Sequence, residues 1–240
     1  MTEKSSIDIF TENYKEIREN IAAAAVRSGR RLEDITLLAA TKTVPAEVIN
    51  FAIESGITYI GENRVQESCA KFPQILQNNS DVELHLIGSL QRNKVKNIVP
   101  LCSCIQSLDR IELAQEIQKQ CEKIGKKINV LFEIHTGEDS KSGYQNIDDV
   151  KKTLDYILSL ENSFIVPIGF MTMAPFTNNE IEIRNSFVTL RNLRDKIQSE
   201  YSDFNFSELS MGMSQDYQFA IEEGSTLVRI GTAIFGERKY

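Results

Sequence analysis

The feature that most constrains the fold is a regular alternation of short apolar runs with amphipathic segments. In the amphipathic segments, apolar residues recur at three- and four-residue spacing, which indicates helices with one buried face. Strands that alternate with helices are typical of a parallel sheet covered by helices. We expect strands at Thr36–Lys42, Ile57–Asn63, Glu83–Leu90, Ser103–Leu108, Ile128–His135, Ile165–Met173, Phe206–Met213 and Thr226–Phe235.

Eight βα units in 240 residues match the size of one (β/α)8 barrel of the TIM type. An open, doubly wound sheet is the alternative, but it would place a glycine-rich phosphate loop after the first strand, where this chain has Thr43-Val-Pro45. We therefore predict an α/β fold, a single TIM-type barrel domain over residues 1–240, with an extra N-terminal helix at about 7–28. Helices are also expected at Ala46–Glu54, Arg110–Ile124, Asp148–Leu160 and Glu180–Ser199.

Charge and hydropathy exclude several classes of partner. The net charge is -7 with a pI near 5.1, whereas nucleic-acid-binding and membrane-surface proteins need clustered Lys and Arg. The first twenty residues are polar, and no later apolar run has the length of a membrane span. We expect a cytoplasmic protein that binds neither nucleic acid nor membrane.

Cysteine and histidine are too sparse to suggest a metal centre. Cys69, Cys102, Cys104 and Cys121 are expected to be small buried hydrophobic residues in a reducing compartment. A redox-active or metal-binding Cys102-Ser-Cys104 pair is the alternative, which we disfavour because we expect the two cysteines to face opposite sides of one strand. Two histidines cannot supply the histidine-rich site of most zinc enzymes, and no metal is expected.

Two glycine-containing segments predict a phosphate site at one end of the barrel. Leu209-Ser-Met-Gly-Met-Ser214 and Val228-Arg-Ile-Gly-Thr232 follow or end the last two apolar runs. Glycine lets backbone N–H groups approach an anion closely, and Ser214 and Thr232 add hydroxyl donors. A helix beginning near Ser214 would direct its positive end at the ligand. Phosphate held by the loops after strands seven and eight is a recurrent feature of TIM barrels.

Lys42 is the candidate nucleophile. It ends the first apolar run, and in a closed barrel the first strand pairs with the eighth, beside the predicted phosphate loops. Desolvation at the rim of a buried strand, together with nearby positive charge, would lower the pKa of its amine and favour a Schiff base with a carbonyl-bearing phosphate ester. A solvated loop lysine is the structural alternative, and Lys141 in a polar loop is the rival nucleophile.

Two further residues are candidate ligand contacts at strand ends. Arg229 lies within an apolar run, and a buried guanidinium needs an acceptor. The acceptor is either a strand carboxylate, Glu62 or Glu133, or a ring nitrogen or phosphate of a ligand. The segment Gly61-Glu-Asn-Arg64 either caps the helix after the second strand, or its Asn63 binds a ligand hydroxyl.

In these and further stretches the chain resembles a known family, the single-domain pyridoxal phosphate homeostasis proteins. These proteins are related to the N-terminal barrel of alanine racemase. The resemblance covers nearly the whole chain. The matching stretches are Thr41-Lys-Thr43 with Pro45, Gly61-Glu-Asn63 with Val65-Gln-Glu67, His85-Leu-Ile-Gly88 with Leu90-Gln91 and Asn93-Lys94, Ser140-Lys-Ser-Gly143, Ser210-Met-Gly-Met-Ser214 with Asp216, and Val228-Arg-Ile-Gly-Thr-Ala-Ile-Phe-Gly236 with Arg238.

The resemblance implies a role for each candidate residue toward pyridoxal 5′-phosphate. Lys42 would form the Schiff base, Arg229 would face the pyridine nitrogen, and Asn63 would lie near the ring hydroxyl. Ser214, Gly231 and Thr232 would hold the phosphate.

The implied function is intracellular cofactor homeostasis, by storage, delivery or regulation, with apo pyridoxal-phosphate enzymes as partners, a monomeric state and no catalytic residues or turnover. Two alternatives are a pyridoxal-phosphate-dependent amino-acid racemase with Lys42 as its base, and a cofactor-free Schiff-base aldolase.

Overall fold

The strands form a closed parallel barrel in the computed structural model, which describes residues 5–137 and 142–236. Each strand pairs with its neighbours in chain order, and β1 closes against β8. This architecture confirms the predicted TIM-type α/β barrel. The strands are β1 Thr36–Ala40, β2 Tyr59–Glu62, β3 Glu83–Leu86, β4 Cys104–Leu108, β5 Ile128–Glu133, β6 Ile165–Met171, β7 Glu208–Ser210 and β8 Leu227–Ile230.

Helices cover the outside of the barrel. The helices are α1 Ser6–Arg27, α2 Ala46–Glu54, α3 Val65–Asn78, α4 Val95–Ile98, α5 Ile111–Ile124, α6 Ile147–Leu158, α7 Glu180–Glu200, α8 Tyr217–Glu222 and α9 Thr232–Phe235. The expected extra N-terminal helix is α1, which begins with a capping box between Ser5 and Asp8. It packs against α8 and α9, and the Asn13 amide donates to the Ile234 carbonyl at 3.1 Å.

The main hydrophobic core lies between the strands and the helices. Alternate residues of β8 illustrate the arrangement: Val228 and Ile230 belong to this outer core, whereas Arg229 lies among polar groups of other strands. A smaller apolar cluster of Cys104, Leu131 and Met171 is separate from that core. In the described part of the chain, no helix is both long and apolar enough to cross a bilayer.

The predicted eighth strand was too long at its C-terminal end. It was expected to reach Phe235, but β8 ends at Ile230 and residues Thr232–Phe235 form α9. A continuous apolar run does not distinguish a strand from a buried helical turn, and Gly231, at φ -120° and ψ -80°, separates the two here. The helix expected near Ser214 begins at Tyr217 instead, after a turn in which Asp216 accepts from the Met213 amide at 2.6 Å.

Candidate functional site

The six candidate residues all lie at the C-terminal ends of four adjacent strands. The order β2, β1, β8, β7 around the closed barrel brings these ends side by side, although they are far apart in sequence. Such a mouth is where TIM barrels bind their ligands. Lys42 lies two residues after β1, Asn63 directly after β2, Ser214 four residues after β7, Arg229 within β8, Gly231 directly after β8, and Thr232 at the first position of α9.

Ser214 joins the two predicted phosphate loops. Its Oγ accepts hydrogen bonds from the Gly231 amide at 3.3 Å and from the Ala233 amide at 3.2 Å. Two backbone N–H groups therefore already converge on one oxygen, which is the arrangement that an anion needs. Gly231 also lies against β1, since a Cβ atom there would be 3.0 Å from the Ala40 carbonyl oxygen. The exposed Thr232 opens α9 beside them.

Arg229 is a buried cation with donor capacity to spare. Its side chain belongs to a residue that is only 5% exposed. Nη1 donates to the Ser210 hydroxyl at 2.6 Å and Nη2 donates to the Thr172 carbonyl at 2.8 Å. Burial lowers the pKa of Arg229 to about 10, and the charges of Asp216 and Glu133 oppose that shift. The guanidinium is still protonated at neutral pH, and two of its five N–H groups suffice for these two bonds.

One structural alternative for Arg229 involved Glu62, and it is wrong. Glu62 lies on the outer face of β2, which faces the helices, and Lys71 of α3 pairs with it there at 3.4 Å. Glu133 does act on Arg229 through its charge. Its Oε1 accepts from the Ser142 hydroxyl at 2.8 Å. The acceptors that β6 and β7 give Arg229 are a neutral carbonyl and a neutral hydroxyl, and neither offsets its charge.

The segment that carries Lys42 has an unusual backbone. Thr43 has φ +65°, a left-handed conformation that a β-branched residue rarely adopts. Its hydroxyl donates to the Lys42 carbonyl at 2.5 Å, and its amide donates to Glu67 Oε2 at 3.3 Å. Lys42 is itself half-buried. Strain of this kind persists only where surrounding contacts hold it, and it fixes the direction in which the chain leaves β1.

A charged cluster behind the mouth supplies those contacts. Glu62 is fully buried, and its Oε1 accepts from the Thr41 hydroxyl at 2.8 Å and from Lys71 Nζ at 3.4 Å. Lys71 Nζ also lies 3.4 Å from the Thr41 carbonyl and 3.6 Å from Glu67 Oε2. Burial raises the pKa of Glu62, whereas Lys71 lowers it. We name Thr41, Glu62, Glu67 and Lys71 the support cluster.

Sequence reasoning missed the support cluster. A spacing of nine residues between Glu62 and Lys71 joins a strand end to the following helix, and it has no local periodicity that could reveal a contact. Thr41 approaches only because β1 and β2 pair in register, with Ala40 beside Gly61. The signal that was available is the polar character of Glu62 in an otherwise apolar run.

Asn63 follows β2 without capping the next helix. Arg64, the last residue of the segment expected to cap the next helix, is the N-cap of α3, and it makes no side-chain cap hydrogen bond. Gly88, after β3, fits against the Asn63 backbone so closely that a Cβ atom would be 2.3 Å from the Asn63 carbonyl oxygen. The contact holds the ends of β2 and β3 together at the mouth. The Asn63 side chain is half-buried there.

The remaining sequence expectations have mixed outcomes. Cys102, Cys104 and Cys121 are buried, but Cys69 is exposed. Cys102 and Cys104 pack into different clusters, but strand alternation is not the reason, because residues two apart on a strand face the same side. They separate because Cys102 lies before the start of β4. Burial raises the pKa of Cys102 to about 12. His85 lines a polar cavity of about 170 Å³ at the opposite end of the barrel. Lys141 lies outside the described residues.

Comparison with known proteins gives consistent matches over almost the whole chain. The family model described as alanine racemase, N-terminal domain, matches residues 12–239. A pyridoxal phosphate homeostasis protein of Aquifex aeolicus is 43% identical over 229 residues, covering 95% of this chain and 98% of that protein.

Two solved structures place these matches in three dimensions. PipY of Synechococcus elongatus, solved with PLP bound, is 31% identical with a TM-score of 0.80, covering 92% of this chain and 100% of PipY. Alanine racemase of Clostridium difficile, in complex with cycloserine, has a TM-score of 0.74 at 16% identity, covering 97% of this chain and 60% of the racemase. The racemase likeness is one of fold alone.

Proposed function

We propose that this chain, which belongs to the family of pyridoxal phosphate homeostasis proteins, binds pyridoxal 5′-phosphate at the barrel mouth and acts in cofactor homeostasis, by storing, delivering or regulating the cofactor. The observation that carries the proposal is the convergence of the Gly231 and Ala233 amides on Ser214 Oγ, with the buried Arg229 beside them on β8. The amides of Gly231 and Ala233, together with Ser214, fit an anionic phosphate, and Arg229 fits a ring nitrogen.

Each candidate residue then has a binding role. Lys42 would hold the cofactor by a Schiff base, while Ser214, Gly231 and Thr232 would hold its phosphate. Asn63 would lie near the ring hydroxyl. The support cluster would fix the segment that carries Lys42, because its Thr41 is bonded to Glu62 and its Glu67 accepts from the Thr43 amide. We further propose one domain over residues 1–240, a cytoplasmic monomer, and apo pyridoxal-phosphate enzymes as partners.

Arg229 favours binding over catalysis. When bound, pyridoxal phosphate supplies an electrophilic carbonyl carbon and, if its ring nitrogen is protonated, an electron sink. Arg229 keeps its proton at neutral pH, because even the lowered pKa is about 10. It would donate a hydrogen bond at the ring nitrogen without transferring a proton there. The sink stays weak, and we expect no racemase or transaminase turnover.

The test of binding is a spectrum and a mass map. Purified protein incubated with pyridoxal phosphate should gain visible absorbance, and borohydride should fix a pyridoxyl group on the peptide that contains Lys42. Lys152→Ala is a matched control, since Lys152 is an exposed helix lysine. A label on Lys141 would move the assignment to the rival lysine, and no label anywhere would favour the cofactor-free aldolase alternative.

A second assay separates the carrier from an enzyme. The loaded protein is incubated with alanine and other amino acids, and the products are followed by chiral chromatography and keto-acid detection. The proposal predicts no sustained turnover and the activation of an added apo enzyme by the loaded protein. Turnover that disappears in Lys42→Ala would establish the racemase alternative.

A further inference from the structure

A row of polar side chains, buried except for Glu83 at its far end, crosses the barrel interior from the mouth to the opposite end. Arg229 Nη1 donates to Ser210 Oγ at 2.6 Å, and Ser210 Oγ donates to Gln106 Oε1 at 2.6 Å. Gln106 Nε2 is 2.8 Å from His85 Nδ1, and His85 Nε2 is 3.6 Å from Glu83 Oε2. Ser210 and Gln106 are fully buried, and Arg229 and His85 are each 5% exposed. We name these five residues the axial relay.

Arg229, together with the need to give the buried Ser210 hydrogen an acceptor, sets the direction of the bonds in the axial relay. A guanidinium only donates, so the Ser210 oxygen must accept from it and can turn its own hydrogen to Gln106 Oε1. The Gln106 amide then presents its NH₂ to His85, whose Nδ1 must be unprotonated to accept. His85 is therefore held as the neutral tautomer with its proton on Nε2, directed at Glu83. An arginine at the mouth selects the tautomer of a histidine at the other end of the barrel.

We propose that Ser210, Gln106 and His85 are positioning residues for Arg229, and that protonation of His85 breaks the axial relay and loosens the hold of the mouth on the cofactor. This inference rests on the proposed function, in which Arg229 faces the cofactor ring. Charged His85 carries a proton on Nδ1, which would meet the Gln106 NH₂, so two donors would oppose each other.

Rotation of the Gln106 amide would separate the two opposed donors, but it would leave the Ser210 hydroxyl hydrogen without its acceptor. If the Gln106 amide rotates, its oxygen accepts from His85 but its NH₂ turns toward Ser210. Ser210 Oγ must then accept from both Gln106 and Arg229, and its own hydrogen loses its acceptor in a fully buried setting. The rotated arrangement weakens the bond that holds Arg229 Nη1, because hydrogen bonds in a chain strengthen one another and Ser210 no longer donates. By linkage, whatever tightens that bond at the mouth disfavours the charged form of His85.

The surroundings of His85 give protons access to it. It lines the cavity of about 170 Å³ at the N-terminal ends of the strands. The other titratable groups there are Glu83 on β3, Tyr59 on β2, Cys104 on β4 and Glu208 on β7. His85 lowers the pKa of Glu83, and burial raises the pKa of Cys104, so the neighbours are two carboxyl groups and a neutral thiol.

Tyr59 and the uncharged lining complete the environment. The Tyr59 ring meets the His85 ring edge-on with centroids 5.6 Å apart, and burial raises the pKa of its phenol. Asn129 on β5 adds an uncharged amide. The Thr226 hydroxyl donates to Glu208 at 2.8 Å, which holds that carboxyl group on the cavity wall. The cavity therefore presents negative groups to His85 and no competing cation in the described part of the chain.

The apo protein provides the first test, without any cofactor. The chain has only two histidines, so long-range ¹H–¹⁵N spectra of the imidazole rings are simple, and His135→Asn identifies the His85 signals. At neutral pH we expect the Nε2–H tautomer of His85. On acidification, the Arg229 Nε–H signal should shift together with the signals of the His85 ring. The axial relay would be refuted by the Nδ1–H tautomer of His85, or by an Arg229 Nε–H signal that does not shift when the His85 ring signals shift.

Two variants separate positioning from simple structure. Gln106→Glu can accept from both neighbours, so it should move the His85 proton to Nδ1 while the protein stays folded. His85→Asn keeps an acceptor for Gln106 and removes the titration. Retention of pyridoxal phosphate after gel filtration should fall about tenfold on acidification in the wild type, the effect of one hydrogen bond to a charged group, and lose this dependence in His85→Asn. An equal fall in both proteins would contradict the coupling.

Failure of the proposed function looks different. A wild type that retains no pyridoxal phosphate at any pH would overturn cofactor binding, and with it the coupling to retention. The tautomer of His85 and the response of Arg229 in the apo protein would still decide whether the axial relay operates.

Discussion

Replacement of Lys71 by methionine tests whether electrostatic attraction between Lys71 and Glu62 stabilises the support cluster. The substitution keeps the length of the side chain and removes the charge that faces the fully buried Glu62 at 3.4 Å. Breaking a buried ion pair from one side costs about 3–5 kcal/mol. The long contact and the retained Thr41 hydrogen bond place the expected loss of unfolding free energy near the lower limit, about 3 kcal/mol at neutral pH.

The loss should depend on pH, because Glu62 can escape by taking up a proton. Protonation of the Glu62 carboxylate costs about 1.4 kcal/mol for each pH unit above the ordinary glutamate pKa of about 4.3. This cost is about 4 kcal/mol at pH ~7.5 but only ~1.6 kcal/mol at pH ~5.5. Burial already raises the folded pKa of Glu62. Its contribution to stability is present below the unfolded pKa and lost as pH rises through the folded value, and Lys71→Met deepens that loss.

The assay is urea unfolding of wild type and Lys71→Met at these two pH values. We expect a difference of about 3 kcal/mol at the higher pH and no more than about 1.6 kcal/mol at the lower one. Glu62→Gln is the matched background, since the neutral amide has no charge to compensate. If Lys71→Met costs the same at both pH values, or the same in the Glu62→Gln background, the electrostatic account of the support cluster is wrong.

Three further predictions concern the mouth. Lys42→Ala should remove the borohydride-reducible chromophore while the circular dichroism spectrum of the barrel is kept; a persistent chromophore would assign the Schiff base to another lysine. Ser214→Ala and Thr232→Ala should each weaken cofactor retention about tenfold, because a hydrogen bond to a charged group is worth roughly 1.5–3 kcal/mol, and unchanged retention in the double variant would contradict the phosphate assignment. Gly88→Ala should lower the melting temperature and cofactor retention together, since its Cβ would lie 2.3 Å from the Asn63 carbonyl oxygen; a neutral result would show that the ends of β2 and β3 can separate.

The sequence predicted the barrel because its evidence is local. Alternating strand and helix patterns need only neighbouring residues, and all eight strands were found within the expected ranges. The errors in the predicted strand ends fall at the mouth. The structure has β7 only at Glu208–Ser210, and the expected eighth strand includes α9. Residues that leave the sheet at the mouth remain apolar, so the sequence pattern does not show where the strand ends.

Part of the candidate site could also be predicted from the sequence. Lys42, Ser214 and Arg229 could be selected since parallel strands all end at one mouth, so a strand end is also a position in space. Their binding roles remain a proposal. The support cluster was not accessible, because Lys71 meets Glu62 only when α3 packs against β2.

The axial relay was decided by tertiary structure alone. Nothing in the sequence separates Gln106 or Ser210 from an ordinary polar strand residue, and the two are 104 positions apart. The sequence by itself determined that these side chains alternate on strands of a closed barrel. Only closure set the stagger of β3, β4, β7 and β8 that stacks Arg229, Ser210, Gln106 and His85 at hydrogen-bond distance. Local pattern carries the period of a strand, but contacts across a barrel depend on how far each strand is shifted relative to the next.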